Sequence, residues 1–293
     1  MKNNRHIQST TGGARLNVVR RGNHGLPVLF QHGLGGDAQQ VTRIFPREAG
    51  FDLTTIECAG HGASSCPRPP AFSLELFYAD VTAFSTEHFP LGFVAGGISM
   101  GAALALALAI RNPSSVRGLI LVRPAWFISR SPANLEPIRY VGGLLQQYPR
   151  QQALDVFVAS ELAARIRESS PDNYATLIDY LGDHQPEWVG KLLTDIAADG
   201  FEFSVAQLES INVPTLVIGV EADDIHPLAL AGQLHRSIPG SRFERAPRKD
   251  DAGAAPNYFD RTAELIAGFL SGIAAQEPDV RARPVHGSGE HST

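Results

Sequence analysis

The sequence predicts an α/β fold: a mostly parallel central sheet flanked by helices, interrupted by one helical insertion. Three observations carry that prediction. Short apolar runs alternate with longer helical patterns along most of the chain. Between Ala125 and about Val205 the strand rhythm stops, and only helical patterns such as Ala153 to Ser169 and Tyr174 to Leu181 remain. One apolar run, Gly92 to Ile98, passes straight through a serine into the alanine- and leucine-rich helix Met100 to Arg111. The 293 residues suffice for one large domain with such an insertion and a sizeable core.

Taken in order, Pro27 to Phe30 is a short buried strand leading into Gln31-His32-Gly33-Leu34-Gly35-Gly36. Phe51 to Glu57 is a second strand, enriched in threonine and isoleucine. Ser73 caps a helix that runs to about His88, with Glu75 close behind. After the strand and helix around Ser99, Asn112-Pro113 ends the helix. Val116 to Val122 and Val213 to Val220 are further buried strands. Pro227 sits in the first turn of a helix to Ile238, where proline is tolerated. Ser241 to Ala246 is the last strand and Asn257 to Ala274 the last helix. Residues 1–124 and 206–275 then form the core and 125–205 the insertion. The tail 276–293, rich in Pro, Gly, Ser and His, is expected to be disordered.

Composition excludes several classes. The chain is 43% hydrophobic and 19% charged, with a net charge of −5. A mildly acidic chain without a basic run offers no electrostatic grip on nucleic acid or an anionic membrane. The longest apolar run, Met100 to Ile110, is too short to span a bilayer, and the segment MKNNRHIQST has no apolar signal core. A cytoplasmic location and a small-molecule partner are expected; oligomeric state is not readable. Cys58 and Cys66, the two cysteines, are read as nearby thiols rather than a disulfide. No zinc-ligand cluster, dinucleotide fingerprint or P-loop occurs, so neither metal nor cofactor is expected.

Gly97-Ile98-Ser99-Met100-Gly101 fits G-x-S-x-G between a strand and a helix. A chain turning that sharply strains the serine backbone and needs small residues two positions away on either side. The Met100 amide then lies at a helix N-terminus, where it can donate to a developing oxyanion.

With that motif the chain resembles the α/β-hydrolase family over roughly residues 10 to 274. His32-Gly33 resembles the family's oxyanion loop, whose second donor is the following amide, here Leu34. Gly60-His61-Gly62-Ala63-Ser64 resembles its G-H-G-x-S turn, although the usual preceding arginine is Ala59. The helical insertion falls where the family carries a lid, and the closing helix ending in Phe269-Leu270 also fits. Residues His32 to Asp37 are similar to a bacterial subgroup with an H-G-L-G-G-D loop. The resemblance implies an acid after the strand that follows the lid. Asp223, with Pro227 at the D-x-x-x-P spacing, is the candidate; Glu221 and Asp224 lack that spacing.

The family's base is absent from its usual place. The loop after the last strand reads Ala246-Pro247-Arg248-Lys249-Asp250-Asp251-Ala252-Gly253, and the usual histidine position falls near Lys249. No histidine occurs between His235 and His286. His226, three residues beyond Asp223, is the first substitute; His32 and His61 sit in turns that the family uses structurally. Arg123, ending another strand at the same sheet edge, and Lys249 would face the pocket, with His32 at its oxyanion loop. Two cations there imply an anionic ligand, unless a carboxylate such as Glu136, Asp172, Asp250 or Asp251 neutralises them. The leading expectation is a cofactor-independent hydrolase-type enzyme using Ser99 on a small, anionic ester, thioester or C–C substrate. Two other classes stay open: a receptor-like protein that binds without turnover, and a lyase or isomerase in which Lys249 moves the proton.

Overall fold

The computed structural model describes residues 4–9, 13–48, 50–66 and 71–276, so the expected disordered tail lies outside the described residues apart from Gln276. In chain order the elements are β1 (Asn4–Ser9), β2 (Arg15–Arg21), β3 (Leu26–Gln31), α1 (Ala38–Ile44), β4 (Phe51–Ile56), α2 (Leu74–His88), β5 (Phe93–Ile98), α3 (Met100–Arg111) and β6 (Val116–Val122). A 3-10 turn (Ala133–Leu135) opens a helical segment of α4 (Glu136–Gln147), α5 (Arg150–Val158), α6 (Glu161–Ser169), α7 (Pro171–Tyr180), α8 (Val189–Ala198) and α9 (Val205–Glu209). The chain then returns through β7 (Thr215–Val220), α10 (Leu228–Ser237), β8 (Arg242–Ala246) and α11 (Tyr258–Gln276).

Eight strands make one sheet in the order β1-β2-β4-β3-β5-β6-β7-β8. From β4 to β8 every neighbouring pair is parallel, while β2 runs antiparallel to both β1 and β4. This is the predicted α/β class. Parallel strands need a cover on both faces, and their alternate residues supply two cores. Ala95, Leu119 and Leu121 face one; Val94, Ile98, Ile120 and Val122 face the other. Helix α3 is buried along nearly its whole length, which explains its richness in alanine and leucine.

Three expectations need correction. The sequence reading began the sheet at Pro27 and missed the two strands before it. In β2 polar residues alternate with Leu16 and Val18, and Asn17 is buried because its amide donates to the Glu57 carboxylate at 2.9 Å. The pattern Ala153 to Ser169 is two helices, not one. Ser160 breaks it: its hydroxyl accepts the Ala163 amide at 3.1 Å and caps α6. Helix α1 was also missed, though Asp37 caps it by accepting the Gln39 and Gln40 amides.

Candidate active site

Ser99 joins β5 to α3 with φ 56° and ψ −113°, outside the regions a non-glycine residue ordinarily occupies. The turn is that tight because its flanks are backbone-to-backbone. A Cβ on Gly97 would lie 2.1 Å from the Gly101 carbonyl carbon, and one on Gly101 2.2 Å from the Gln31 carbonyl oxygen. The Met100 amide, at the first helical position, has no carbonyl within the helix to bond.

The loop after β3 comes up beside the serine: a Cβ on Gly33 would be 3.3 Å from Ser99 Cβ. Two side chains pin this loop. Gln40 Oε1 accepts the Gly33 amide at 2.7 Å, and Tyr180 Oη donates to the Leu34 carbonyl at 2.8 Å. Neither was found from the sequence. For Gln40 a signal existed, since Asp37 and Gln40 have the spacing of an N-cap and its N3 partner. For Tyr180, on a distant helix, none did.

His32 is not a pocket residue, contrary to expectation. It is fully buried beneath the loop. Its Nε2 accepts the Cys58 amide at 2.9 Å, so Nδ1 carries the proton and donates to the Gly33 carbonyl at 2.8 Å. Burial lowers its pKa, and burial together with His32 pushes His61 down to about 3. Both rings are neutral supports of the two turns, their centroids 4.8 Å apart and their planes tilted by 50°.

The turn after β7 brings the other groups to Ser99. His226 Nε2 lies 2.9 Å from Ser99 Oγ, and its Nδ1 lies 2.9 Å from Asp223 Oδ1. The same Asp223 oxygen accepts the His226 backbone amide at 2.9 Å, which closes the turn on itself. Those partners fix the tautomer: Nδ1 donates to the carboxylate, and Nε2 accepts from the hydroxyl. Burial works against a charge on Asp223. The adjacent His226 and Arg123 outweigh it and hold the carboxyl well below the usual carboxylate range.

Arg123 and Lys249 line the cavity at Ser99, but they are not left facing one another for a ligand anion. Arg123 Nε donates to Asp223 Oδ2 at 2.7 Å and its terminal nitrogen to Asp172 Oδ2 at 2.8 Å. Lys249 Nζ reaches Asp172 Oδ1. Two carboxylates therefore balance two cations, and the expected anion site is corrected to an internal ion network. Of the neutralising carboxylates considered from sequence, Asp172 is the one in place. The cavity, about 70 Å³, is lined around Ser99 and His226 by Leu34, Ile138, Ile225 and Tyr180, among others.

The fold agrees with the comparisons. The family model described as alpha/beta hydrolase fold matches residues 27–251. The chain belongs to the α/β-hydrolase family. Among curated relatives of this family member, Lipase 1 of Psychrobacter immobilis is 26% identical over 94% of this chain and 87% of its own. A pimeloyl-[acyl-carrier protein] methyl ester esterase of Neisseria meningitidis is 24% identical over 84% of this chain and 94% of its own. Of solved structures, a thermophilic esterase from Thermogutta terrifontis matches with a TM-score of 0.68 at 23% identity, covering 94% of this chain and 100% of that one. The enol-lactonase from Burkholderia xenovorans LB400 matches at 0.63 and 20% identity, over 91% of this chain and 98% of that one. At those identities the structures speak for the fold alone. Among the described residues no helix is long and apolar enough to cross a membrane.

Proposed function

We propose that the protein is a serine hydrolase for small, uncharged esters, with its catalytic base moved from the loop after β8 to the turn after β7. The observation that carries this reading is the continuous chain from Ser99 Oγ through His226 to Asp223, with both links at 2.9 Å. Curated relatives named as lipase and methyl ester esterase support the reaction class.

In this mechanism His226 Nε2 takes the Ser99 proton as Oγ attacks the ester carbonyl. Asp223 stabilises the resulting imidazolium without taking its proton. The carbonyl oxygen, now an oxyanion, receives the amides of Leu34 and Met100. Collapse expels the alcohol, which takes the proton from His226, and leaves an acyl-serine. Water then repeats the sequence: His226 accepts its proton, and the acid product leaves. The helical segment 125–205 serves as the lid over this site. Lys249, at the position where the family usually keeps its histidine, is engaged by Asp172 and takes no part in proton transfer.

A fluorophosphonate probe tests the reading. Labelling is expected at Ser99 between pH 6 and 9 and is expected to vanish in Ser99→Ala. A folded wild-type protein that resists the probe across that range, and hydrolyses no p-nitrophenyl acetate, would shift the reading to ligand binding without turnover.

A further inference from the structure

The acid and base here lie three residues apart on one turn, so whatever holds that turn holds both. A triad whose base comes from a separate loop has two independent anchors. This chain has one turn, and its backbone is tied to the helical segment. Ser170 Oγ donates to the Ala222 carbonyl at 2.9 Å, the Ile225 amide donates to Asn173 Oδ1 at 2.8 Å, and Asn134 Nδ2 donates to the Ile225 carbonyl at 2.6 Å. Asp224 accepts Ser169 Oγ at 2.6 Å. These bonds fix the backbone, and within the turn the Asp223 carboxylate is held at one oxygen alone, Oδ1 meeting the His226 amide and ring, so that Oδ2 is left free.

Arg123 removes that freedom. Its backbone lies at φ 45°, in the left-handed region, where the guanidinium is turned from the end of β6 onto the acid. Nε occupies Asp223 Oδ2 at 2.7 Å, which leaves Oδ1 for His226. The guanidinium is itself fixed from the far side by Asp172 on α7. It is buried with its partners, at side-chain exposures of 8% for Arg123, 2% for Asp223 and 13% for Asp172, so the pairing is poorly screened by solvent.

We propose that Arg123 is a positioning residue for the triad: by claiming one Asp223 oxygen it aims the other at His226, and through Asp172 it ties that aim to the helical segment. Arg123 touches neither Ser99 nor the reacting carbonyl in this scheme and acts only through Asp223. The kinetic consequence rests on the hydrolase reading; the orienting role does not. The charged or titratable groups around Asp223 are His226 on its own turn, Arg123 from β6, Asp172 from α7, Tyr258 from α11, and Lys249 and Asp250 from the loop after β8.

The test compares wild type, Arg123→Lys, and the double variant Arg123→Met with Asp172→Asn, which avoids leaving the Asp172 carboxylate with Lys249 as its one remaining cation. Proton NMR in the acid range reads the hydrogen that His226 Nδ1 gives Asp223, assigned by its loss in His226→Ala. That downfield resonance is expected in wild type, shifted or lost in the folded double variant, and partly kept in Arg123→Lys. With p-nitrophenyl acetate, the double variant is expected to lose roughly 10- to 100-fold in kcat with KM little changed. An unchanged resonance in a double variant that folds by circular dichroism would overturn the role. If the wild type neither hydrolyses the ester nor accepts the fluorophosphonate, the hydrolase reading falls, while the resonance still decides the positioning role.

Discussion

At the residue scale the site is governed by where strain and charge are placed. Ser99 holds a backbone conformation that costs a non-glycine residue about 1–3 kcal/mol. Packing against Gln31 and Gly101 keeps it there, and the return is a hydroxyl presented to His226. An unassisted serine is a weak nucleophile at neutral pH, so the role assigned to His226 makes a large demand on one side chain. His226→Ala is expected to lower kcat by about 10² to 10⁴ while leaving the fold intact, because the ring is at the pocket rim and not in either core. Steady-state rates and circular dichroism on the same preparation check this. Activity near wild type would remove His226 from the mechanism. The proposed base was legible in the sequence only as a candidate, since D-x-x-H on one turn belongs to no spacing rule. What singled it out was its place three residues beyond Asp223, together with the absence of any histidine between His235 and His286. The pairing of Arg123 and Lys249 with Asp172 was legible only as one alternative for a physical reason: Asp172 is 49 and 77 residues away from them, and nothing local selects it from the other carboxylates.

At the element scale, legibility followed the strength of the local pattern. Strand β6 matched its expected bounds, Val116–Val122, because its residues apart from Arg117 are apolar or glycine and buried on both faces. Strand β2 was missed because its neighbours are antiparallel at the sheet edge and half its residues are polar. Helix α2 shows a cost that periodicity does not display. Asp80 faces inward with one carboxylate oxygen unpartnered among the described residues, and burial pushes its pKa up to about 6. The Cys58 thiol and the Glu57 carboxylate lie on the neighbouring strand end, and burial with Asp80 raises the Cys58 pKa in turn. The sign follows from linkage. The folded value lies above the unfolded one of about 3.9, so the folded state binds the extra proton between the two, and stability falls as pH rises through that window. Above about pH 6 the penalty is constant, on the order of 2 kcal/mol. Asp80→Asn is therefore expected to stabilise the protein at pH 8 and to make little difference at pH 4. Urea midpoints at both values measure it, and equal effects at the two pH values would contradict the assignment.

For the whole molecule, the decisive relation is between the helical segment and the sheet. Tyr180 holds the Leu34 loop, Asn173 and Asn134 hold the turn carrying the acid and base, and Asp172 joins Arg123 to Lys249. A helical segment attached at those points cannot swing away as a rigid body without breaking the bonds that hold Asp223 and His226 in place. Substrate must fit the space that remains. That cavity is small, about 70 Å³, on a measure in which roughly 10–15 Å³ holds one water. Its wall beside the serine is apolar at Ile138 and Ile225, and its flanking cations are matched by Asp172 and Asp223. Chain length and charge of the acyl group should therefore decide the rate together. Across p-nitrophenyl acetate, butyrate and octanoate, kcat/KM is expected to fall at each step, by roughly tenfold or more to the octanoate, since each further methylene meets a closed wall instead of new apolar contact. A monoester that carries a free carboxylate on a short acyl chain is expected to react more slowly than its neutral methyl-capped counterpart. The ion network would have to open to receive that charge, and raising the salt should change neither rate by much, because Arg123 and its two carboxylate partners are largely buried although Lys249 is exposed. Preference for the octanoate would show that the segment opens. Preference for the free carboxylate, strengthened at low salt, would show that Arg123 and Lys249 exchange their protein partners for substrate.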